Sequence, residues 1–201
     1  SDNIVHIVIA RIPGSPEGSK GISLFIVPKF NVADDGAITD RNQVSCGSIE
    51  HKMGINANAT CVINFDKAKG YLIGTQNKGL HCMFTFMNAA RLGVANEGVA
   101  AAEASFQGAL AYAQDRLQMR SLSGIKNPKG PADPIIVHPD VRRMLLTQKS
   151  IAEGGRAMIA YLSQLVDICH VEKDAAKKMA AESKLALLTP IAKAFLTELG
   201  L

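Results

Sequence analysis

The period of apolar and polar positions changes once along the chain. Residues 3–11, NIVHIVIAR, and 21–28, GISLFIVP, are short runs rich in β-branched residues and predict strands. Between them IPGSPEGSK carries two prolines and two glycines, the composition of a hairpin loop or a longer surface excursion. Residues 29–42 are polar and irregular, with Asp34-Asp35-Gly36 as a turn signal. Strand character returns at 44–50, at 60–65 and briefly at 71–73. This spacing predicts an antiparallel meander. Its first strand has no upstream partner, which would leave an apolar edge unless more chain precedes it.

At Gly74 β-branched residues give way to alanine. The proline-free stretch from Gly79 to Met119 places Leu80, Met83, Phe84, Met87, Val94 and Leu110 near helical spacing, and Thr75 or Asn77 can cap it. A continuous helix of this length spans roughly 60 Å. Its polar residues Asn88, Arg91, Asn96, Glu97 and Gln107 exclude a membrane span. The small residues Gly93, Ala95, Gly98, Ala101, Ala102 and Ala109 let neighbouring helices approach closely. Residues 121–137, with three prolines and two glycines, form a linker or excursion of a length that tends to be functional or mobile. A second helix starts at His138-Pro139-Asp140, with proline tolerated in the first turn. Its stripe runs through Val141, Met144, Leu145, Gln148, Ile151, Gly155, Met158, Ile159, Leu162, Leu165 and Val166 to about Cys169. A third helix covers about 172–188, and Thr189-Pro190 kinks it or starts another. The resulting fold class is α+β: antiparallel β-structure over 1–74, then an up-down helical bundle over 75–201.

Composition narrows the function only slightly. A net charge of +4 is scattered over 201 residues with no dense basic run, which suits a small anionic ligand better than a nucleic acid. Cys46, Cys61, Cys82 and Cys169 lie far apart and in no metal-ligand spacing, so no metal site is expected. They read as reduced thiols of a cytoplasmic protein.

No P-loop, GxGxxG or GxSxG occurs, and Glu97 and Glu103, six residues apart, do not share a helix face. Two features carry chemistry. Asn88 and Arg91 share a face of the long helix that is otherwise small and apolar. A guanidinium there needs a planar acceptor, either an anionic ligand or carbonyl or a distant carboxylate of the same chain. At the other end of the helix, Arg116 either complements the C-terminal dipole or holds a phosphate in its fork.

These residues sit in a chain that resembles the acyl-CoA dehydrogenase family over essentially its whole length. The segment EHKMGINANATCVINFDKAKGYLIGTQNKGL looks like the family's passage from the last strands of the middle β-domain into the C-terminal helical domain. MNAARLGVANEGVAAAEASFQGALAYAQDRLQMRSLSG looks like the first long helix of that domain, and HPDVRRMLLTQKSIAEGGRAMIAYL and LLTPIAKAF like those that follow. GISLFIVPKF, HPDVRRML and the 121–137 excursion point to the branch of larger members that includes methylthiopropanoyl-CoA dehydrogenases.

The resemblance implies an internal piece of a three-domain FAD enzyme, assembled as a homodimer or homotetramer. Such enzymes convert an acyl-CoA to the trans-2-enoyl-CoA and pass electrons to an electron-transferring flavoprotein. A glutamate takes the α-proton while a β-hydride goes to the flavin. Carried over by position, Arg91 matches the arginine that contacts the CoA part of the substrate. Asn88 stands where many members have aspartate, and Asn58 where some use serine near the substrate. Arg116 matches the arginine that reaches the FAD pyrophosphate of a neighbouring subunit. Departures are Met119-Arg120 in place of Phe-Gly, and Pro139 in place of a glutamine near the FAD adenosine. One branch keeps its catalytic glutamate immediately before the helix arginine, but that position here is Ala90. The commoner glutamate position falls beyond Leu201. No catalytic residue is therefore assigned, and the segment alone is expected neither to bind FAD stoichiometrically nor to turn over acyl-CoA. An acyl-CoA oxidase or flavin monooxygenase of the same fold, or a non-catalytic helical assembly module, are the alternative functions.

Overall fold

The computed structural model of the chain describes residues 3–200. Seven strands precede three long helices: β1 (Val5–Arg11), β2 (Ile22–Pro28), β3 (Phe30–Val32), β4 (Ile38–Arg41), β5 (Val44–Ile49), β6 (Cys61–Phe65), β7 (Tyr71–Ile73), α1 (Gly79–Asp115), α2 (Pro139–Val171) and α3 (Ala175–Leu199). The chain divides into two compact units, residues 1–86 and 87–201, with the division inside α1. The fold class is α+β, antiparallel strands followed by helices.

In the first unit the pairing departs from a simple meander. β2 is the central strand of a three-stranded sheet, flanked by β1 and by β7, which returns from the far end of the unit. β3–β4 and β5–β6 are separate hairpins. The polar stretch 29–42 thus contains an ordered hairpin, where sequence indicated only irregular chain. Asn42 explains why it is ordered. Its buried amide donates to the Pro28 and Lys69 carbonyls at 2.8 and 2.9 Å and accepts from the Gln43 and Lys69 backbone N–H groups. Every bonding position of one buried amide is occupied by backbone that would otherwise be unpaired. β1 is an edge strand on which Val5, Ile7 and Ile9 are exposed, in keeping with the apolar edge expected there.

The start of α1 is set by backbone contact. Gly79 packs so tightly on Ser23 and Leu24 of β2 that no Cβ fits. Asn77 adopts φ +64° and its N–H donates to the Ser23 hydroxyl at 2.9 Å, while its side-chain oxygen is buried without a partner. Asn77 is therefore not the side-chain cap that its position suggested.

In the second unit the core is built from Ala95 and Val99 of α1, Leu162 and Leu165 of α2, and Ala181, Ala192 and Leu196 of α3. On α1 the buried face is Ala95, Gly98, Val99 and Ala102, spaced three and four apart, whereas the larger Phe84 and Val94 are partly exposed. Small residues form this face because α1 and α3 meet at backbone distance. Gly98 lies against the Leu196 backbone, and Gly200 against Gly98. Gly155 of α2 packs against the side chains of Val99 and Leu196. On α2, Leu145, Gly155, Leu162 and Leu165 of the expected stripe are buried together with Ala152, but Met144 is exposed.

Three helix boundaries differ from expectation. α1 stops at Asp115, not near Met119, because residues 116–119 pair with 133–135: Gln118 N–H donates to Asp133, Asp133 N–H to Met119 and Ile135 N–H to Arg116, each at 2.9 Å. α3 begins at Ala175, where the Asp174 carboxylate caps the Ala176 and Lys177 N–H groups, and not at 172. It then runs through Pro190 as one helix. The Thr189 hydroxyl donates back to the Leu185 carbonyl at 2.7 Å, beside the turn where proline removes a donor.

Candidate functional site

Arg91 projects from the first turns of α1 within the second unit, and its Nη1 donates to Asn88 Oδ1 at 3.2 Å. The i, i+3 spacing brings the two together, as the sequence indicated. Beside Arg91 opens a cleft of about 380 Å³, lined by Met87, Ala90, Arg91 and Val94 of α1 and by Pro190 and Lys193 of α3. One wall is apolar, and the cleft carries two cations from different helices. Such a site offers donors to an anionic or carbonyl group and an apolar surface to whatever that group is attached to. Neither Pro190 nor Lys193 is a site candidate in the sequence. Proline reads there as a helix breaker, and Lys193 as one of many exposed lysines. Only the packing of α3 on α1 puts them opposite Arg91.

Arg116 directly follows α1 and is exposed. It lies 25 residues beyond Arg91 on one helix, about 38 Å away along the axis, so the two cannot hold one small group. Its backbone is fixed on both sides: the N–H donates to the Tyr112 carbonyl at 2.8 Å, and the carbonyl accepts from Ile135. Asn58 belongs to the first unit, exposed in the loop between β5 and β6. Its N–H donates to the Ile55 carbonyl at 3.3 Å, and the Lys52 ammonium donates to both the Ile55 and Asn58 carbonyls.

The 121–137 excursion is organised by hydrogen bonds around one residue. Asp133 is fully buried and was not recognised in the sequence, where it reads as one more polar residue among prolines. Its carboxylate accepts from the Ser121, Lys126 and Asn127 backbone N–H groups at 2.8, 2.9 and 2.6 Å, with Arg120 Nη1 at 3.4 Å. Burial pushes its pKa up, but the three N–H groups and the Arg120 charge outweigh burial and hold it down at about 2.

Of the glutamates on α1, Glu103 accepts from Gln107 at 2.7 Å and pairs with Arg156 of α2 at 2.9 Å. The Gln107 hydrogen bond, aided by the Arg156 charge, lowers its pKa despite some burial. This is a helix-to-helix tie. A general base needs a raised proton affinity, not a lowered one. Among the described residues no group of three or more His, Cys, Asp or Glu is placed to hold a metal ion, and no helix is long and apolar enough to cross a membrane.

Over nearly its whole length the chain is similar to curated acyl-CoA dehydrogenases. It is 45% identical over 198 residues to the 3-methylmercaptopropionyl-CoA dehydrogenase of Ruegeria pomeroyi, covering 98% of this chain and 33% of that protein. Butyryl-CoA dehydrogenase of Syntrophomonas wolfei is 35% identical over 207 residues, covering 99% of this chain and 33% of the relative. The chain spans about a third of the length of these curated relatives. Its fold matches Caenorhabditis elegans ACDH-11 in complex with C11-CoA (TM-score 0.77, 20% identity, 96% of this chain and 30% of that one). It also matches an acyl-CoA dehydrogenase complexed with FAD from Bacillus anthracis (TM-score 0.67, 20% identity, 98% and 31%). No family model matches the chain.

Proposed function

We propose that this chain is the junction of the middle β-domain (1–74) and the C-terminal helical domain (75–201) of an FAD-dependent acyl-CoA dehydrogenase. The whole protein oxidises an acyl-CoA to the trans-2-enoyl-CoA in the cytoplasm, as a homodimer or homotetramer, and delivers electrons to an electron-transferring flavoprotein. The observation that carries the reading is the cleft beside Arg91, lined also by Lys193 of α3 and Ala90. In this reading Arg91 and Lys193 donate to the anionic or carbonyl groups of the CoA portion, and Asn88 orients the Arg91 fork through its 3.2 Å hydrogen bond. Asn58 contributes a neutral polar contact near the substrate. Ala90, with only a methyl group, leaves the cleft open where a branch of the family places a glutamate. No residue of this segment takes the role of base.

The donor set at Arg116 fits the cofactor. An exposed guanidinium, projecting from a backbone held at both ends, is a donor-only partner suited to a pyrophosphate. When bound, FAD supplies hydride acceptance. Arg116 contributes by holding its phosphates.

The test is anaerobic mixing of the full-length protein with acyl-CoA, followed by the visible flavin spectrum. Bleaching by acyl-CoA, with Arg91→Ala requiring about tenfold or more substrate for half-bleaching, is the expected result. An unbleached flavin would overturn the dehydrogenase reading and favour a non-catalytic assembly module. Rapid reoxidation of the bleached flavin by oxygen would favour an acyl-CoA oxidase.

A further inference from the structure

The most deeply buried charge in the second unit lies far from the Arg91 cleft, and the proposed function gives it no role. Asp133 is 0% exposed, yet it sits in a loop whose other residues are largely at the surface. A carboxylate is costly to bury, and here three backbone N–H groups and a guanidinium offset that cost. Arg120 also donates to the Asn127 and Gly130 carbonyls at 2.9 and 2.7 Å, and the Asn127 side chain donates to the Ala132 carbonyl at 3.1 Å. Residues 120–133 therefore close on a single ionic centre.

That centre has one outlet. The two chain segments leaving it, 116–119 and 133–135, are hydrogen-bonded to each other, and the last of those bonds holds the carbonyl of Arg116. Met119, between them, is held at φ +60°, a conformation that a non-glycine residue adopts only when its surroundings impose it. His138 adds a contact of 2.9 Å between its Nε2 and the Gln118 carbonyl. The end of α1 is thus terminated by the loop, and the loop is assembled by Asp133.

We propose that Asp133 is a positioning residue for Arg116: it folds the 120–133 loop into a platform that holds the backbone from which the Arg116 side chain projects and so sets affinity for the FAD pyrophosphate. The inference rests on the reading of Arg116 as a pyrophosphate contact. Asp133 itself touches neither cofactor nor substrate. In Asp133→Asn one oxygen can still serve the Lys126 and Asn127 N–H groups, both held by Oδ1, but the new amide NH2 then faces the Ser121 N–H held by Oδ2, donor against donor.

The experiment uses full-length holoenzyme, with FAD affinity measured by titrating the apoprotein and following flavin fluorescence. Four variants are compared: Asp133→Asn, Arg116→Ala, their combination, and Arg120→Gln as a milder disturbance of the same centre. Expected are about tenfold weaker FAD binding for Asp133→Asn, a smaller loss for Arg120→Gln, and a double variant no weaker than Arg116→Ala alone. The KM for acyl-CoA should be unchanged at saturating FAD, because Arg91 lies at the other end of α1. A general loss of structure would move both quantities. Unaltered FAD affinity in Arg116→Ala would overturn the pyrophosphate reading, and the platform with it. Weakened binding in Arg116→Ala with unaltered or fully additive effects of Asp133→Asn would overturn the positioning role alone. Should Asp133→Asn fail to fold, Arg120→Gln decides by the same criteria.

Discussion

Gly98 of α1 lies so close to the Leu196 carbonyl of α3 that a methyl group on Gly98 would overlap that oxygen. The obstacle is backbone, not a side-chain tip that could swing away. Gly98→Ala must therefore separate two helices, and it is expected to destabilise the helical unit by about 1–3 kcal/mol despite alanine's better helix propensity. Urea unfolding followed by far-UV circular dichroism measures this. A neutral or stabilising result would contradict the close approach.

Leu162 is fully buried at the centre of the same core. Leu162→Ala should cost about 2–5 kcal/mol, the lost burial plus the cavity left behind. Met144, one of the stripe residues predicted from sequence, is 48% exposed, and Met144→Ala should stay within about 0.5 kcal/mol. Thermal unfolding of the two variants side by side checks both values.

Val94 lines the cleft beside Arg91 and is itself partly exposed. Val94→Trp adds bulk without opening the core. In the full-length protein it should raise the KM for acyl-CoA about tenfold, equivalent to ~1.4 kcal/mol, while the melting temperature is held. An unchanged KM would remove the cleft from the substrate site.

The Asp133 carboxyl should titrate at about 2, below the ordinary aspartate value of 3.8. Because the folded-state pKa is depressed, its contribution to stability is complete above the unfolded value. It is lost as pH falls from there through about 2. The melting temperature of the wild-type chain should therefore fall more steeply across that window than that of Asp133→Asn. Carboxyl-carbon NMR gives the midpoint directly.

Much of the architecture was readable from residue order. The β-branched runs and the alanine-rich stretch after Gly74 separate strands from helices through local period alone, a property that each segment carries by itself. Asn88 and Arg91 were legible as neighbours for the same reason, since three residues on a helix is a fixed geometry. The resemblance to a family came from the order of whole segments. What the chain could not reveal locally was which face of α1 is buried. Of the small residues that permit close helix approach, Ala95, Gly98 and Ala102 are buried, whereas Gly93 and Ala101 are exposed.

Tertiary structure alone decided the rest. Pairing β7 with β2, bringing Pro190 and Lys193 across from Arg91, and folding 120–133 around Asp133 all join residues distant in sequence or hidden among turn formers. Local propensity holds no record of such partners. They are selected by burial, because a buried carboxylate, an amide such as Asn42 or a backbone N–H must be satisfied wherever the packed chain leaves it.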